Sequence, residues 1–219
     1  MTTTLLRTAE VERTLATLFP ADVAVAVEPI VPGREASLWP GEARQIAGSV
    51  PARVAEFAAG RAAARRALGM LGQPPAAIAT DPDRAPIWPP GIGGSIAHNK
   101  TLAVAVLRIG APLGVDIEED TALESELWPV ICTPEDLATL PEMDRGRYVR
   151  HVFAAKEAAY KAQFPITASL FGFGTLAIRL DGDSFTARLC HPVAGLGTGH
   201  EMHGRIGLAQ GLVLTGVAL

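Results

Sequence analysis

The stretch Leu102-Ala-Val-Ala-Val-Leu-Arg-Ile-Gly-Ala-Pro-Leu-Gly-Val-Asp-Ile-Glu118 contains two strand-like runs and a turn, and its reading divides the chain. Leu102 to Leu107 and Leu113 to Ile117 are apolar and rich in β-branched residues. Arg108 to Pro112, with Gly110 and Pro112, breaks the chain between them. In the second run the two-residue period of a strand puts Asp116 and Glu118 on one side, and Val115 and Ile117 on the other. Outward from this midpoint, one helix is expected from about Val50 to Leu68. Pro51 is acceptable in its first turn, and Gly69 and Gly72 are available to stop it. A second helix is expected from about Arg145 to Phe164, ended sharply by Pro165. Further strand-like runs are Val23 to Val27, Leu176 to Leu180, Phe185 to Leu189 and Leu212 to Leu219, with Asp181-Gly182-Asp183 closing a hairpin. Each half therefore holds one principal helix and several short strands in mixed order. That order predicts an α+β fold of two similar halves, 1–109 and 110–219, rather than a doubly wound sheet.

Composition narrows the function. With 48% hydrophobic and 19% charged residues over 219 positions, the chain can build a core and is not a disordered tail. Its 19 Lys and Arg against 23 Asp and Glu give a net charge of −4 and a pI near 5.7, so no basic field points to nucleic acid. Two cysteines, Cys132 and Cys190, are too few for a disulfide scaffold, and reduced thiols in the cytoplasm are expected. The opening MTTTLLRTAEVERTL mixes Arg7, Glu10, Glu12 and Arg13 among its apolar residues, which is not the pattern of a secretion signal. The apolar runs fall far short of the roughly 20 residues that a membrane span needs.

Several residues sit where a purely structural reading does not want them. At about 100° per residue, Val54, Phe57, Ala64 and Leu68 form one stripe of the first helix, and Arg61 lies within it. Arg53 and Arg65 flank that face, and Arg66 points away. Such arginines either carry their stems past a core to water or converge on an anion such as phosphate. On the second helix Val149, Phe153, Tyr160 and Phe164 form the stripe, with Glu157 inside it and Lys161 four residues on. That spacing fits an ordinary helix ion pair as well as a functional carboxylate. Asp116, Glu118 and Glu157 together would suit a hard divalent cation such as Mg²⁺, which takes oxygen ligands, although Asp-x-Glu also occurs on exposed strand ends.

The loop from Arg84 through Gly91, Gly93 and Gly94 to His98 leads into a strand rather than a helix, so it is no dinucleotide fingerprint. His98, read at a strand entrance, suits either an anion contact or a satisfied structural histidine. Cys190, His191, His200 and His203 are loosely spaced among glycines expected in surface turns, and no zinc site is expected there. Cys132 reads as a packed thiol.

In order and spacing, four segments resemble the Sfp-type 4′-phosphopantetheinyl transferases, and within them the branch similar to the enterobactin-synthetase component. They are Glu56-Phe-Ala-Ala-Gly-Arg-Ala-Ala-Ala-Arg65 with Ala67-Leu68; Arg84-Ala-Pro-Ile-Trp-Pro with Gly94-Ser-Ile-Ala-His98; Gly114-Val-Asp-Ile-Glu118; and Phe153-Ala-Ala-Lys-Glu-Ala-Ala-Tyr-Lys161. Gly204-Arg-Ile to Gly211-Leu-Val-Leu-Thr is similar to that branch's terminal strands. The resemblance implies two α+β halves related by a pseudo-twofold, with coenzyme A in the cleft between them. It implies transfer of 4′-phosphopantetheine to a serine of an acyl or peptidyl carrier protein, with release of adenosine 3′,5′-bisphosphate. Asp116, Glu118 and Glu157 would hold Mg²⁺, Lys161 would contact the diphosphate, and His98 would meet the coenzyme's phosphates. Arg53, Arg61 and Arg84 would serve the 3′-phosphate and adenine. Glu157, directly or through a metal-bound water, is then the expected acceptor of the serine proton, with Lys161 beside it in the catalytic pair. A cytoplasmic monomer serving siderophore, polyketide or nonribosomal peptide synthesis is expected.

Ala97 stands where the family usually has serine, which predicts one lost hydroxyl contact to the coenzyme. Ala158 also stands at a position often occupied by serine. Two other readings compete: a non-catalytic coenzyme A or nucleotide-binding module of the same fold, and a Mg²⁺-dependent phosphodiesterase built on Asp-x-Glu. The intact carboxylates and Lys161 weigh against the first. The lack of further metal-ligand residues weighs against the second.

Overall fold

A computed structural model describes residues 2–219, with side chains from Leu6 onward. The chain runs α1 (Thr2–Thr17), β1 (Ala24–Pro29), α2 (Pro40–Gln45), α3 (Pro51–Met70), β2 (Ala79–Thr80), β3 (Pro86–Ile87), β4 (Ile92–His98), β5 (Leu102–Ile109) and β6 (Leu113–Glu119). It continues α4 (Trp128–Ile131), α5 (Pro134–Thr139), α6 (Arg145–Thr167), β7 (Leu176–Asp181), β8 (Ser184–Leu189), β9 (Glu201–Ala209) and β10 (Leu212–Ala218). The sheets have orders β1-β5-β4 and β6-β10-β9-β8-β7, with a β2-β3 ribbon beside them. Every pairing is antiparallel. The fold is α+β.

The strand period explains the layers. On β1, Ala24 and Ala26 pack with Ala63, Ala64, Ala67 and Leu68 of α3, so alanine on both surfaces lets helix and sheet approach closely. Val25 and Val27 point the other way, into a core shared with Val104 and Val106 of β5, Val115 and Ile117 of β6, Leu212 and Leu214 of β10, and Val11 and Leu15 of α1. Strands covered on both faces read as continuous apolar runs, which is why Leu102 to Leu107 stood out. At the seam between the sheets the Val115 amide donates to Ser95 Oγ (3.2 Å). A Cβ on Gly93 would meet the Ala111 carbonyl at 2.2 Å.

The third cluster lies between α6 and the five-stranded sheet, and here the expected stripe is corrected. Val149 is buried as expected, but Phe153, Tyr160 and Phe164 are only partly buried. The core face is Val152, Ala154, Ala155, Ala158, Ala159 and Ala162. Small residues let the helix lie directly on β6, where a Cβ on Gly114 would sit 1.8 Å from the Ala158 carbonyl oxygen. Side-chain size was the wrong cue. The aromatics instead form the rim of the helix, and Glu157 is among them rather than in the core.

Three further expectations are corrected. α6 continues through Pro165 to Thr167, because proline lacks a donor but holds a helical φ. Ala168, in the left-handed region, closes the helix by donating its N–H to Phe164 O (2.8 Å). His98 is the last residue of β4, not at its entrance. His203, expected among glycine-rich turns, lies in β9, whose Gly204 makes room for the Phe185 ring. Helix α1 had no counterpart in the sequence reading.

One buried charge was also missed. Lys156 is 1% exposed; its ammonium lies 2.7 Å from Asp136 and donates to the carbonyls of Ile131 (2.8 Å) and Phe173 (3.0 Å). Asp136 in turn accepts from the Thr133 amide (2.6 Å) and the Ile178 amide. The ion pair ties α4, α5 and β7 to the back of α6, and its full hydrogen bonding is what makes burial tolerable.

Candidate active site

Helix α3 and strand β4 lie against each other along the close approach of Gly60 to Ile96. With the loop before β4 they enclose a cavity of about 880 Å³ whose wall includes Arg53, Glu56, Arg61, Thr80, Arg84 and His98. The three arginines have different occupations. Arg61 is 6% exposed and committed: Nε donates to the Ile78 carbonyl (2.8 Å), Nη2 donates to Thr80 Oγ1 (2.7 Å), and the guanidinium stacks 4.1 Å over Phe57. Burial lowers it to about 10 against the opposing pull of Glu42. Arg61 therefore braces the β2 wall before it does anything else. Arg53 is exposed, and its Nη1 reaches Glu56 (3.3 Å) and His98 Nε2 (2.9 Å). Arg84 is exposed with a backbone φ of 69°, and among the described residues its guanidinium has no hydrogen-bond or ion-pair partner. A non-glycine residue held there beside a cavity is the kind of outlier that accompanies binding.

Two arginines of the α3 cluster serve the framework. Arg65 pairs with Glu42, which is fully buried (2.7 Å). Arg66, which points away from the stripe, pairs with Glu12 of α1 and Glu28 of β1.

A second cavity of about 210 Å³ shares Arg84, Pro86 and Ile96 with the first and reaches α6 through Tyr160, Lys161 and Phe164. Its Trp88 ring is fixed by an Nε1 hydrogen bond to Gly94 O (3.0 Å). Beyond it, the acidic face of β6 looks onto α6. Gly114 touches Ala158, whereas Leu113, Val115 and Ile117 belong to the opposite core. Asp116 and Glu118 are thereby turned toward the helix that carries Glu157 and Lys161.

There the charges interlock. Lys161 Nζ donates to Asp116 Oδ1 (2.6 Å) and to the Val115 carbonyl (3.2 Å), and stands 3.9 Å from Glu157. Glu118 accepts from Arg150 (3.1 Å). Burial would lower the Lys161 ammonium, but Asp116 and Glu157 outweigh it and hold its pKa above the ordinary value. Burial, reinforced by Asp116, pushes Glu118 up to about 7 against Arg150 and Lys161. Burial likewise raises Glu157. As they stand, the three carboxylates are within electrostatic reach but do not close into a cage: among the described residues no three metal-ligand side chains do so. One atom is left over. Asp116 Oδ2 is buried with no hydrogen-bond donor, which is costly unless another group supplies positive charge.

The structure thus gathers Arg53, Arg61, Arg84 and His98 around one cavity, and Asp116, Glu118, Glu157 and Lys161 at the α6–β6 contact. It moves Ala97 out of the picture: its side chain lies in the shared core, so a serine there would not face the cavity. Sequence reasoning passed over Glu56, although its three-residue spacing from Arg53 was a usable signal.

Comparison with known proteins agrees along the chain. A model of the 4′-phosphopantetheinyl transferase N-terminal domain matches residues 41–108, and that of the 4′-phosphopantetheinyl transferase superfamily matches 112–204. The chain is 36% identical to 4′-phosphopantetheinyl transferase Svp of Streptomyces mobaraensis over 193 residues, covering 83% of this chain and 78% of Svp. It is 32% identical to 4′-phosphopantetheinyl transferase Npt of Nocardia iowensis, covering 92% and 98%. With enterobactin synthase component D of Escherichia coli K12 it shares 35% over 129 residues, 57% and 62% of the two chains. Two family models in tandem and a relative matched over nearly its whole length show that this chain belongs to the 4′-phosphopantetheinyl transferase superfamily.

Proposed function

We propose that the two linked cavities and the α6–β6 carboxylates form the site at which this enzyme moves 4′-phosphopantetheine from coenzyme A to a carrier-protein serine. What supports this most is the sharing of Arg84, Pro86 and Ile96 between an arginine-lined cavity and a slot ending at Lys161. In this reading the halves 1–109 and 110–219, related by a pseudo-twofold, bound the cleft. Arg53, Arg84 and His98 meet the anionic adenosine end, and Arg61 buttresses their wall. The slot of Trp88, Tyr160 and Phe164 takes the flexible arm. The protein acts as a monomer in the cytoplasm, in keeping with two free cysteines. No helix among the described residues is long and apolar enough to cross a membrane.

The residues fit a hard divalent cation: three carboxylates on facing elements, one with a buried, unpartnered oxygen, form an all-oxygen donor set. Asp116, Glu118 and Glu157 would hold Mg²⁺, which supplies charge neutralisation at the diphosphate. Lys161 donates to the diphosphate oxygens and stabilises the charge that accumulates on the departing nucleotide. The serine Oγ forms the new bond to phosphorus as the phosphorus–oxygen bond to adenosine 3′,5′-bisphosphate breaks. Glu157, raised by burial and on the half-buried rim of α6, accepts the serine proton. Incubating the protein with coenzyme A, Mg²⁺ and a panel of apo carrier proteins tests the proposal. A phosphopantetheine mass added to a carrier supports it, and unmodified carriers across the panel refute it.

Two expectations separate the roles. Arg84→Ala raises the KM for coenzyme A by about tenfold or more, the value of a charge-assisted hydrogen bond, with kcat nearly unchanged. If the change is as large with dephospho-coenzyme A, the arginine does not read the 3′-phosphate. Glu157→Gln keeps an oxygen but cannot take a proton. Single-turnover transfer should fall by roughly 10²-fold or more, while calorimetric affinity for coenzyme A stays within a few-fold. Loss of both together would make Glu157 a ligand and not the base.

A further inference from the structure

We propose that Glu56 is a positioning residue that lets His98 take up a proton when coenzyme A binds, so that the imidazolium and not the neutral ring meets the phosphate. The inference rests on the coenzyme site proposed above. It starts from a conflict of donors. Arg53 Nη1 lies 2.9 Å from His98 Nε2, and a guanidinium has only donors, so Nε2 offers its lone pair and the ring is neutral. With Nε2 accepting from Arg53, the proton of the neutral ring sits on Nδ1, and the neighbouring Asn99 backbone favours the protonated ring. A phosphate oxygen offers lone pairs only. For His98 Nε2 to bond it, Arg53 must turn away and a proton must come from solvent.

The surroundings decide whether that proton is held. Arg53 and Arg61 on α3, Arg84 on the loop and Lys161 on α6 all oppose it; Asp81 and Glu56 are the carboxylates in the cavity wall, and Glu119 stands behind Asn99. Glu56 Oε2 is 3.3 Å from Arg53 Nη1 and 3.8 Å from His98 Nε2. When Arg53 leaves for the phosphate, Glu56 is the counter-ion that stays beside the imidazolium. In the free protein, burial and then Arg53 and Lys161 hold His98 below the ordinary histidine value, and Glu56 pulls it upward. Beyond its bond to Arg53, a Glu56 carboxylate with no further role would only repel the phosphate.

The two roles predict opposite signs. If Glu56 merely repels phosphate, Glu56→Gln tightens coenzyme A binding. If it sustains the imidazolium, the isosteric change loosens binding severalfold at pH 7.5 and by up to about tenfold, one pKa unit's worth, toward pH 6.5, with the gap closing toward pH 9, where neither ring holds the proton. Calorimetry with coenzyme A at saturating Mg²⁺, in two buffers of different ionisation enthalpy, counts the protons. The native protein should take up about 0.5 to 1 proton more than His98→Gln at pH 7.5, and Glu56→Gln should take up clearly fewer than the native protein. Equal proton counts in the native and His98→Gln proteins, or unchanged or tighter binding by Glu56→Gln, would overturn the proposal. Absence of any coenzyme A binding by the native protein would overturn the underlying site assignment as well.

Discussion

Asp116→Asn should lower phosphopantetheine transfer by about three orders of magnitude or more and leave a folded protein. The substitution keeps the side chain's shape and removes the charge that Lys161 holds at 2.6 Å and the buried oxygen with no donor of its own. Losing several kcal/mol of transition-state stabilisation at a charged diphosphate corresponds to at least three decades in rate. The structural cost is smaller than for a fully buried pair, because Lys161 is about a quarter exposed and keeps Glu157 and the Val115 carbonyl nearby. Transfer to an apo carrier, followed by intact mass, should be read beside the far-ultraviolet circular dichroism spectrum and the melting temperature. Near-native turnover at saturating Mg²⁺ would remove Asp116 from the chemistry. An unfolded variant would mark the Asp116–Lys161 pair as a structural element.

The largest effect on the fold is expected at Gly114. A Cβ there would lie 1.8 Å from the Ala158 carbonyl oxygen and 2.8 Å from the Ala162 amide nitrogen, both backbone atoms of α6. No rotamer change relieves a clash with backbone, so α6 must move away from β6. Overpacking of this kind costs 3 kcal/mol or more, about 6 to 12 °C in melting temperature for a chain this size. The molecules that still fold should transfer poorly, because the same displacement separates Glu157 and Lys161 from Asp116 and Glu118. Gly69→Ala is the matched control: it lies in α3 with nothing within 4 Å of its added Cβ, and alanine favours a helix. Thermal unfolding of the two variants should differ sharply. A Gly114→Ala protein melting within a degree or two of the native one would contradict the helix–strand contact on which the site depends.

What the sequence could reveal followed from local periodicity. The alternation in Leu113 to Glu118 was enough to separate a carboxylate face from a core face, because a strand's period needs no knowledge of its partner. The α+β order and both long helices were legible for the same reason. The aromatic stripe of α6 misled because helix–sheet proximity here is set by alanines and Gly114, and close approach is a property of two surfaces at once. β9 was legible only through the resemblance, because Gly204 and Gly207 interrupt its apolar alternation; the Phe185 ring and Leu18 need the space they leave. α1 carries a mixed apolar and charged pattern whose partners, such as Val25 on β1 and Leu212 on β10, are distant in sequence. The arginines were found by their odd positions, but their division of labour was not: only the contacts show that Arg61 is spent on Ile78 and Thr80 while Arg84 is unengaged. Glu56 was overlooked for a related reason, since its significance lies in what it sits between.

A crystal structure of the protein with coenzyme A and Mg²⁺ tests the central claim most directly. The account predicts the adenosine end in the 880 Å³ cavity against Arg53, Arg84 and His98. The metal should be bound by Asp116, Glu118 and Glu157, with Lys161 turned from Asp116 onto the diphosphate. Coenzyme A seated elsewhere, or a metal held by other residues while Lys161 stays on Asp116, would contradict it.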